Sequence, residues 1–152
     1  MADRNQPSQP DQLALLIADV YEAAGVLRRW GEQTASVDGQ TQARWQVLSV
    51  LSEGDWTVPR AAERLGTSRQ AVQKTTNDLL AAGLAELVEN PRHQLSPFVR
   101  PTARGRKVLR SMTARAARMH TTVRSDLDDV DLRAVRSGLH RLVERVRLEL
   151  EP

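Results

Sequence analysis

From Asp11 onward, apolar residues return every three or four positions, at Leu13, Leu16, Ile17, Val20, Ala24, Leu27 and Trp30. That period predicts an amphipathic helix capped by Asp11 and ending near Gln33. Residues 35–39 interrupt it, and Trp45, Leu48 and Leu51 mark a second helix over 41–51, stopped by Glu53, Gly54 and Asp55. Thr57 stands where a cap for a short third helix is expected, with Pro59 in its first turn and Gly66 at its end. Thr67 and Ser68 offer the next cap. Residues 69–82 read as a fourth helix, with Val72, Thr75, Thr76 and Leu79 inward and Gly83 as its stop. Residues 84–89 predict a strand, Asn90 and Pro91 a turn, and residues 98–100 the returning strand. Thr102 then caps a fifth helix running to about Arg124 through Val108, Leu109, Met112, Ala116 and Met119. After an acidic break at 126–131, a last helix carries Leu132, Val135, Leu139, Leu142, Val143, Val146 and Leu150, close to a heptad seam. Residues 1–10 are polar, hold two prolines and read as a flexible tail.

Two short helices joined by a glycine turn, the second followed by a hairpin, form a winged helix-turn-helix. The expected fold is therefore mostly α with a small β-hairpin wing. Its parts are an N-terminal dimerisation helix over 11–34, a winged lobe over 40–101, and long C-terminal helices over 102–150. Ala62, four residues before Gly66, is small where the two helices cross closely, and Val72 and Thr75 fill the space between them. An ordinary helical hairpin within a bundle is the competing reading.

With Val72, Thr75, Thr76 and Leu79 turned inward, the opposite face of the fourth helix presents Arg69, Gln70, Gln73, Lys74 and Asn77. Arg and Lys suit the acceptors of guanine, and Gln and Asn can pair with adenine in the major groove. Ser68, at the helix N-terminus where backbone N–H groups are unpaired, suits a phosphate. Arg60, Thr67, Arg92 and Arg104 are secondary candidates for backbone or wing contacts.

Charge strengthens this reading. The whole chain of 152 residues carries only +3, but residues 57–124 hold thirteen cations against four acids, leaving acidic flanks around a basic middle. Such a window points to a polyanion, and the alternative is a solvated helix face in an Arg-rich chain. Aromatics make up 3%, so the core must be aliphatic, and the absence of cysteine excludes disulfides, thiolate metal sites and cysteine nucleophiles. His93, His120 and His140 supply neither a metal triad nor a nucleophile and base. The acidic run lacks the glycine and terminal Glu of a calcium loop. No enzyme, cofactor or metal is expected. The start lacks a signal-peptide pattern and no apolar run reaches a membrane span, so the expected location is cytoplasmic, with no membrane partner.

Several stretches carry a resemblance to a known family. They are Trp45-Gln-Val-Leu-Ser-Val-Leu, Ala61-Ala-Glu-Arg-Leu-Gly-Thr-Ser-Arg-Gln-Ala-Val, Leu79-Leu-Ala-Ala-Gly-Leu and Pro101-Thr-Ala-Arg-Gly-Arg. Together with the order of helices, they make residues 13–150 resemble the multiple-antibiotic-resistance regulator (MarR) family of bacterial transcription factors. The resemblance implies a homodimer that binds double-stranded DNA at a palindromic operator, with terminal helices interlocked, and acts as a repressor, often released by a small molecule. Such a ligand would sit between the dimerisation helices and the DNA-binding lobe, drawing on Trp30, Arg44, Trp45, Met112 or Met119. The apolar stripes of the first and last helices independently favour pairing across a two-fold axis, against packing on each other within one chain.

The wing departs from the family pattern. Its usual Asp, one residue and an Arg fall where this chain has His93 and Leu95, leaving Arg92 as the cation near the tip. Pro101 replaces the usual Leu and removes an N–H, which predicts a short or mobile wing. A second functional class stands beside the regulator: an interaction scaffold that uses the same fold without specific DNA binding.

Overall fold

A computed structural model describes residues 11–127 and 129–150, so the expected flexible tail at 1–10 and Asp128 of the acidic run lie outside the described residues. Among the described residues, six helices and one hairpin follow in the order α1 (Gln12–Ser36), α2 (Gln42–Leu51), α3 (Val58–Leu65), α4 (Arg69–Ala81), β1 (Ala85–Val88), β2 (Phe98–Pro101), α5 (Ala103–Ser125) and α6 (Leu132–Leu150). The chain divides into two compact units, one up to Ala116 and one from Ala117, with the boundary inside α5.

In the first unit the caps act largely as the sequence requires. Asp11 accepts from the Leu13 amide at 3.0 Å, Thr41 from Arg44 at 3.2 Å, Ser68 from Ala71 at 3.1 Å and Thr102 from Gly105 at 3.1 Å. Thr57 is the exception: it holds the N-cap position of α3 without a side-chain bond, and only its carbonyl takes the Ala61 amide, at 2.9 Å. α1 runs past Gln33 to Ser36, where the Thr34 hydroxyl turns back to the Trp30 carbonyl at 2.9 Å. Gly66 adopts φ +63°, letting the Thr67 amide close the end of α3 on the Ala62 carbonyl at 3.1 Å.

Leu48, Leu79, Leu84, Val99 and Met112 are fully buried and join Val47, Leu51, Ala61, Ala62 and Val72 in one aliphatic core. Burying each large aliphatic side chain contributes about 1.5–3 kcal/mol. Small Ala62 lets α3 and α4 approach, as its place before Gly66 suggests. Thr75 is only half-buried, and its hydroxyl donates to the Ala71 carbonyl at 3.1 Å.

The hairpin is antiparallel, pairing Ala85 with Pro101 and Val88 with Phe98. Its strands are four residues each, and Pro101 closes β2: the ring is buried at the strand end, and the next amide, that of Thr102, bonds the Leu84 carbonyl at 3.0 Å. On its other side, β2 donates the Val99 amide to the Trp56 carbonyl at 2.8 Å, so the strand is held from both flanks. Gly105 packs directly over Leu84: a Cβ there would overlap the Leu84 carbonyl oxygen.

In the second unit, Asp131 caps α6 by accepting the amides of Arg133 and Ala134 at 3.0 and 3.1 Å. α6 has no fully buried residue, and Val135, Val143, Val146 and Leu150 are exposed. Its ion pairs, Arg145 to Glu149 and Arg147 to Glu144, lie at the surface and contribute little.

Candidate nucleic-acid interface

α4 separates its residues into two faces. Val72, Thr76 and Leu79 are buried, while Arg69, Gln70, Gln73, Lys74 and Asn77 are all exposed on the opposite side. Five side chains rich in donors and acceptors thus stand along one helix edge, anchored from behind by the core. Gln73 Nε2 donates to Asn77 Oδ1 at 2.8 Å, one helical turn on. Ser68 Oγ is engaged as the cap acceptor but keeps its own O–H for an outside oxygen, and Thr67 beside it is exposed. The Thr76 hydroxyl is buried without a hydrogen-bond partner among the described residues.

The remaining cations divide by role. The Arg60 guanidinium lies 5.2 Å from the Trp56 ring centroid, a cation–π contact that positions an exposed charge at the start of α3. Arg104 donates to the Ala82 carbonyl at 3.2 Å, bracing the C-terminus of α4 from the first turn of α5. Arg100 grips Asp55 through two nitrogens, at 2.6 and 2.8 Å, which ties β2 to the loop before α3.

The wing loop is closed on a polar side chain. Asn90 is buried; its Nδ2 donates to the Ser96 carbonyl at 2.8 Å and its Oδ1 accepts the Arg92 amide at 3.1 Å. This one side chain closes the loop from within and leaves the side chains of Arg92 and His93 exposed at its tip. Leu95, at the usual place of the family Arg, is 93% exposed. A groove of about 440 Å³ separates wing from α4, lined by Gln70, Gln73 and Asn77 on one side and by Leu87, Leu95 and Pro97 on the other.

Sequence alone reads Asn90 only as a turn residue and Asp55 only as part of a helix stop, and it does not single out Trp56 or Gly105. Asn before Pro in a turn signals an anchor for the loop, and a glycine in the first turn of a helix signals close backbone approach.

The expected ligand residues do not all converge. Trp30 and Trp45 pack with ring centroids 5.8 Å apart, tilted by 56°, and line a cleft of about 1010 Å³. Arg28, Gln42 and Gln46 share it, and its far wall is Arg64, Gly66 and Thr67, the turn of the helix-turn-helix. Arg44 is not part of this cleft: it faces Gln40 at 3.4 Å and Asp78 at 3.8 Å. Met112 is not part of it either, being wholly enclosed in the core. Met119 belongs to the second unit.

One further polar cluster braces this unit. Arg115 Nη1 bonds Asp38 at 2.6 Å and the Thr34 carbonyl at 2.9 Å, and Ser111 donates to Asp38 at 2.9 Å. The Arg115 hydrogen bond, helped by Ser111 and by the Arg115 charge, outweighs desolvation and holds the Asp38 carboxyl below its ordinary range. Among the described residues no three His, Asp or Glu side chains gather as a metal site, and no helix is long and apolar enough to cross a membrane.

Comparison with known proteins agrees with this geometry. The sequence profile of the MarR family matches residues 38–94. The uncharacterized protein Rv2011c of Mycobacterium tuberculosis is 48% identical over 139 residues, covering 91% of this chain and 97% of the relative; Mb2034c of Mycobacterium bovis gives the same figures. Among solved structures, the MarR family transcription regulator SP03579 has a TM-score of 0.76 at 22% identity, covering 93% of this chain and 95% of its own. The M. tuberculosis transcriptional regulator MOSR, solved in complex with DNA, has a TM-score of 0.69 at 19% identity, covering 87% and 96%. NadR, solved with 4-hydroxyphenylacetate, has a TM-score of 0.71 at 18% identity, covering 91% and 97%. The helix-turn-helix segment, residues 38–94, thus matches the MarR family, and the chain as a whole has the winged-helix fold of the solved MarR-family transcription regulators.

Proposed function

We propose that the protein is a sequence-specific DNA-binding repressor that works as a homodimer on a palindromic operator. The observation that carries this reading is the exposure of Arg69, Gln70, Gln73, Lys74 and Asn77 together on one face of a helix fixed by its other face. Inserted in the major groove, Arg69 and Lys74 address guanine acceptors and the amides address adenine. Ser68, Thr67, Arg60 and Arg104 contact phosphates and set the register, and Arg92 approaches the minor groove from the wing tip. That a fold neighbour, MOSR, was solved with DNA supports this use of the fold.

Dimerisation is supported by the apolar exposure of two helices, each in its own unit. Leu13, Leu16 and Leu27 are exposed on α1, as are Val135, Val143 and Val146 on α6. Apolar stripes of that length on a chain in water mark contact surfaces. A two-fold dimer sets its reading helices about 34 Å apart, one turn of DNA.

The cleft at Trp30 and Trp45 is the site we assign to a small-molecule effector. It pairs an aromatic wall with Arg28 and Arg64, which suits an aromatic acid, and NadR was solved with such a compound. Because the cleft touches Gly66 and Thr67, an occupant bears directly on the turn that orients α4.

The test is a titration with duplex DNA at two salt concentrations. Six to ten phosphate contacts predict a loss of affinity of roughly 10³- to 10⁵-fold between about 50 and 200 mM salt. Binding that ignores salt, or no binding to any duplex, would favour a protein-interaction scaffold instead.

A further inference from the structure

The hydrogen bond between Gln73 and Asn77 bears on how the helix reads bases, and the argument rests on the DNA-binding role of α4. We propose that the two residues act as one reading unit, in which Asn77 positions the Gln73 amide so that it addresses a single adenine.

Adenine offers N7 as an acceptor and its N6 amino group as a donor on the major-groove edge, so a bidentate partner must present one N–H and one carbonyl oxygen in a fixed plane. Gln73 spends one of its two amide N–H groups on Asn77 Oδ1, at 2.8 Å. Its second N–H and its Oε1 remain, the pair that adenine requires. Asn77 lends its oxygen to Gln73 and so acts through it. A glutamine side chain otherwise loses several rotatable degrees of freedom on binding, and a bond already present in the free protein reduces that loss. Arg69, Gln70 and Lys74 on the same face have no side-chain hydrogen bond or ion pair to another described residue, so this preorganisation is particular to Gln73. Gln73 and Asn77 also line the groove flanked on the wing side by Leu87 and Leu95.

The experiment measures binding of the full chain to a duplex it selects from random DNA, with each position changed in turn to all four bases. The wild type, Gln73→Ala, Asn77→Ala and Asn77→Asp are compared. The wild type should prefer adenine at one position of each half-site by roughly 5- to 100-fold. Gln73→Ala should flatten that position. Asn77→Ala should lower the preference at the same position by about 2- to 12-fold, the worth of one neutral hydrogen bond. Asn77→Asp keeps the acceptor, so it should retain the adenine preference while weakening binding to every sequence by phosphate repulsion. If Asn77→Ala relaxes a different position, or leaves the Gln73 position intact, or if Asn77→Asp loses the preference as Asn77→Ala does, the two residues act separately and the proposal is overturned. A wild type that binds no duplex, or binds all alike, overturns the DNA-reading role of α4 and this proposal with it.

Discussion

α4 and α6 are both amphipathic, yet α4 buries Val72, Thr76 and Leu79 inside its own unit whereas α6 buries none of its residues. In α4 the apolar face is satisfied within the chain, and the face left for function is polar, with hydrogen-bonding groups aimed outward. In α6 the apolar face is left open, and in the proposed dimer that face is itself what the helix offers to its partner. An amphipathic pattern alone therefore does not say which side of a helix carries function; the burial of its apolar side does. The same difference separates what each substitution should do.

The largest effect should come from the buried side of α4. Leu79 is fully buried, and Leu79→Ala should cost about 3–4 kcal/mol through lost transfer energy and a residual cavity, read by chemical denaturation. A cost below about 1 kcal/mol would mean that α4 is not anchored as described. On α6 the equivalent change should leave the fold alone and act on assembly. Val146→Asp should give a monomer by light scattering, with circular dichroism unchanged, and lose at least about 100-fold in operator affinity as two linked half-site contacts become one. Unfolding of the variant, or a dimer that persists, would break the contrast between the helices.

On the polar side of α4, Lys74→Ala should leave stability unchanged within about 0.5 kcal/mol. It should reduce base discrimination by about 1–2 kcal/mol. Arg60→Ala and Arg104→Ala should instead weaken all sequences alike and lower the salt slope by about one each. The smallest effect belongs to the brace at Asp38. Because the folded carboxyl is held below its ordinary range, its contribution is whole above the unfolded pKa and is lost as pH falls through the lowered folded value. Asp38→Asn should therefore cost about 1 kcal/mol at neutral pH. That difference should vanish in acid, as denaturation of both proteins across the carboxylate range would reveal.

How much of this was legible in the sequence depends on how local the cause is. The helix-turn-helix was readable because Ala62, Gly66, Ser68, Val72 and Gly83 act within a few residues of themselves, through a close crossing, two left-handed turns and a cap. The exposed polar face of α4 follows from the same period. What holds the wing near Pro101 is not legible, because it is distant in sequence: Trp56 bonds β2 from one side, Arg100 reaches Asp55, and Asn90 closes the loop. The surroundings of the ligand candidates are hidden from sequence for a related reason. Met112 and Trp45 both recur at helical spacing, and only tertiary packing decides that one fills the core while the other lines a cleft. Arg44 was drawn toward Asp78 by a helix that its own neighbourhood does not reveal.

The claim on which the rest depends is that two copies of α4 read two half-sites at once. Selection of bound fragments from random duplex DNA by the full-length protein tests it most directly. The account predicts an enriched inverted repeat whose half-sites are centred one helical turn apart. Enrichment of a single unpaired half-site, or of no sequence, would contradict it.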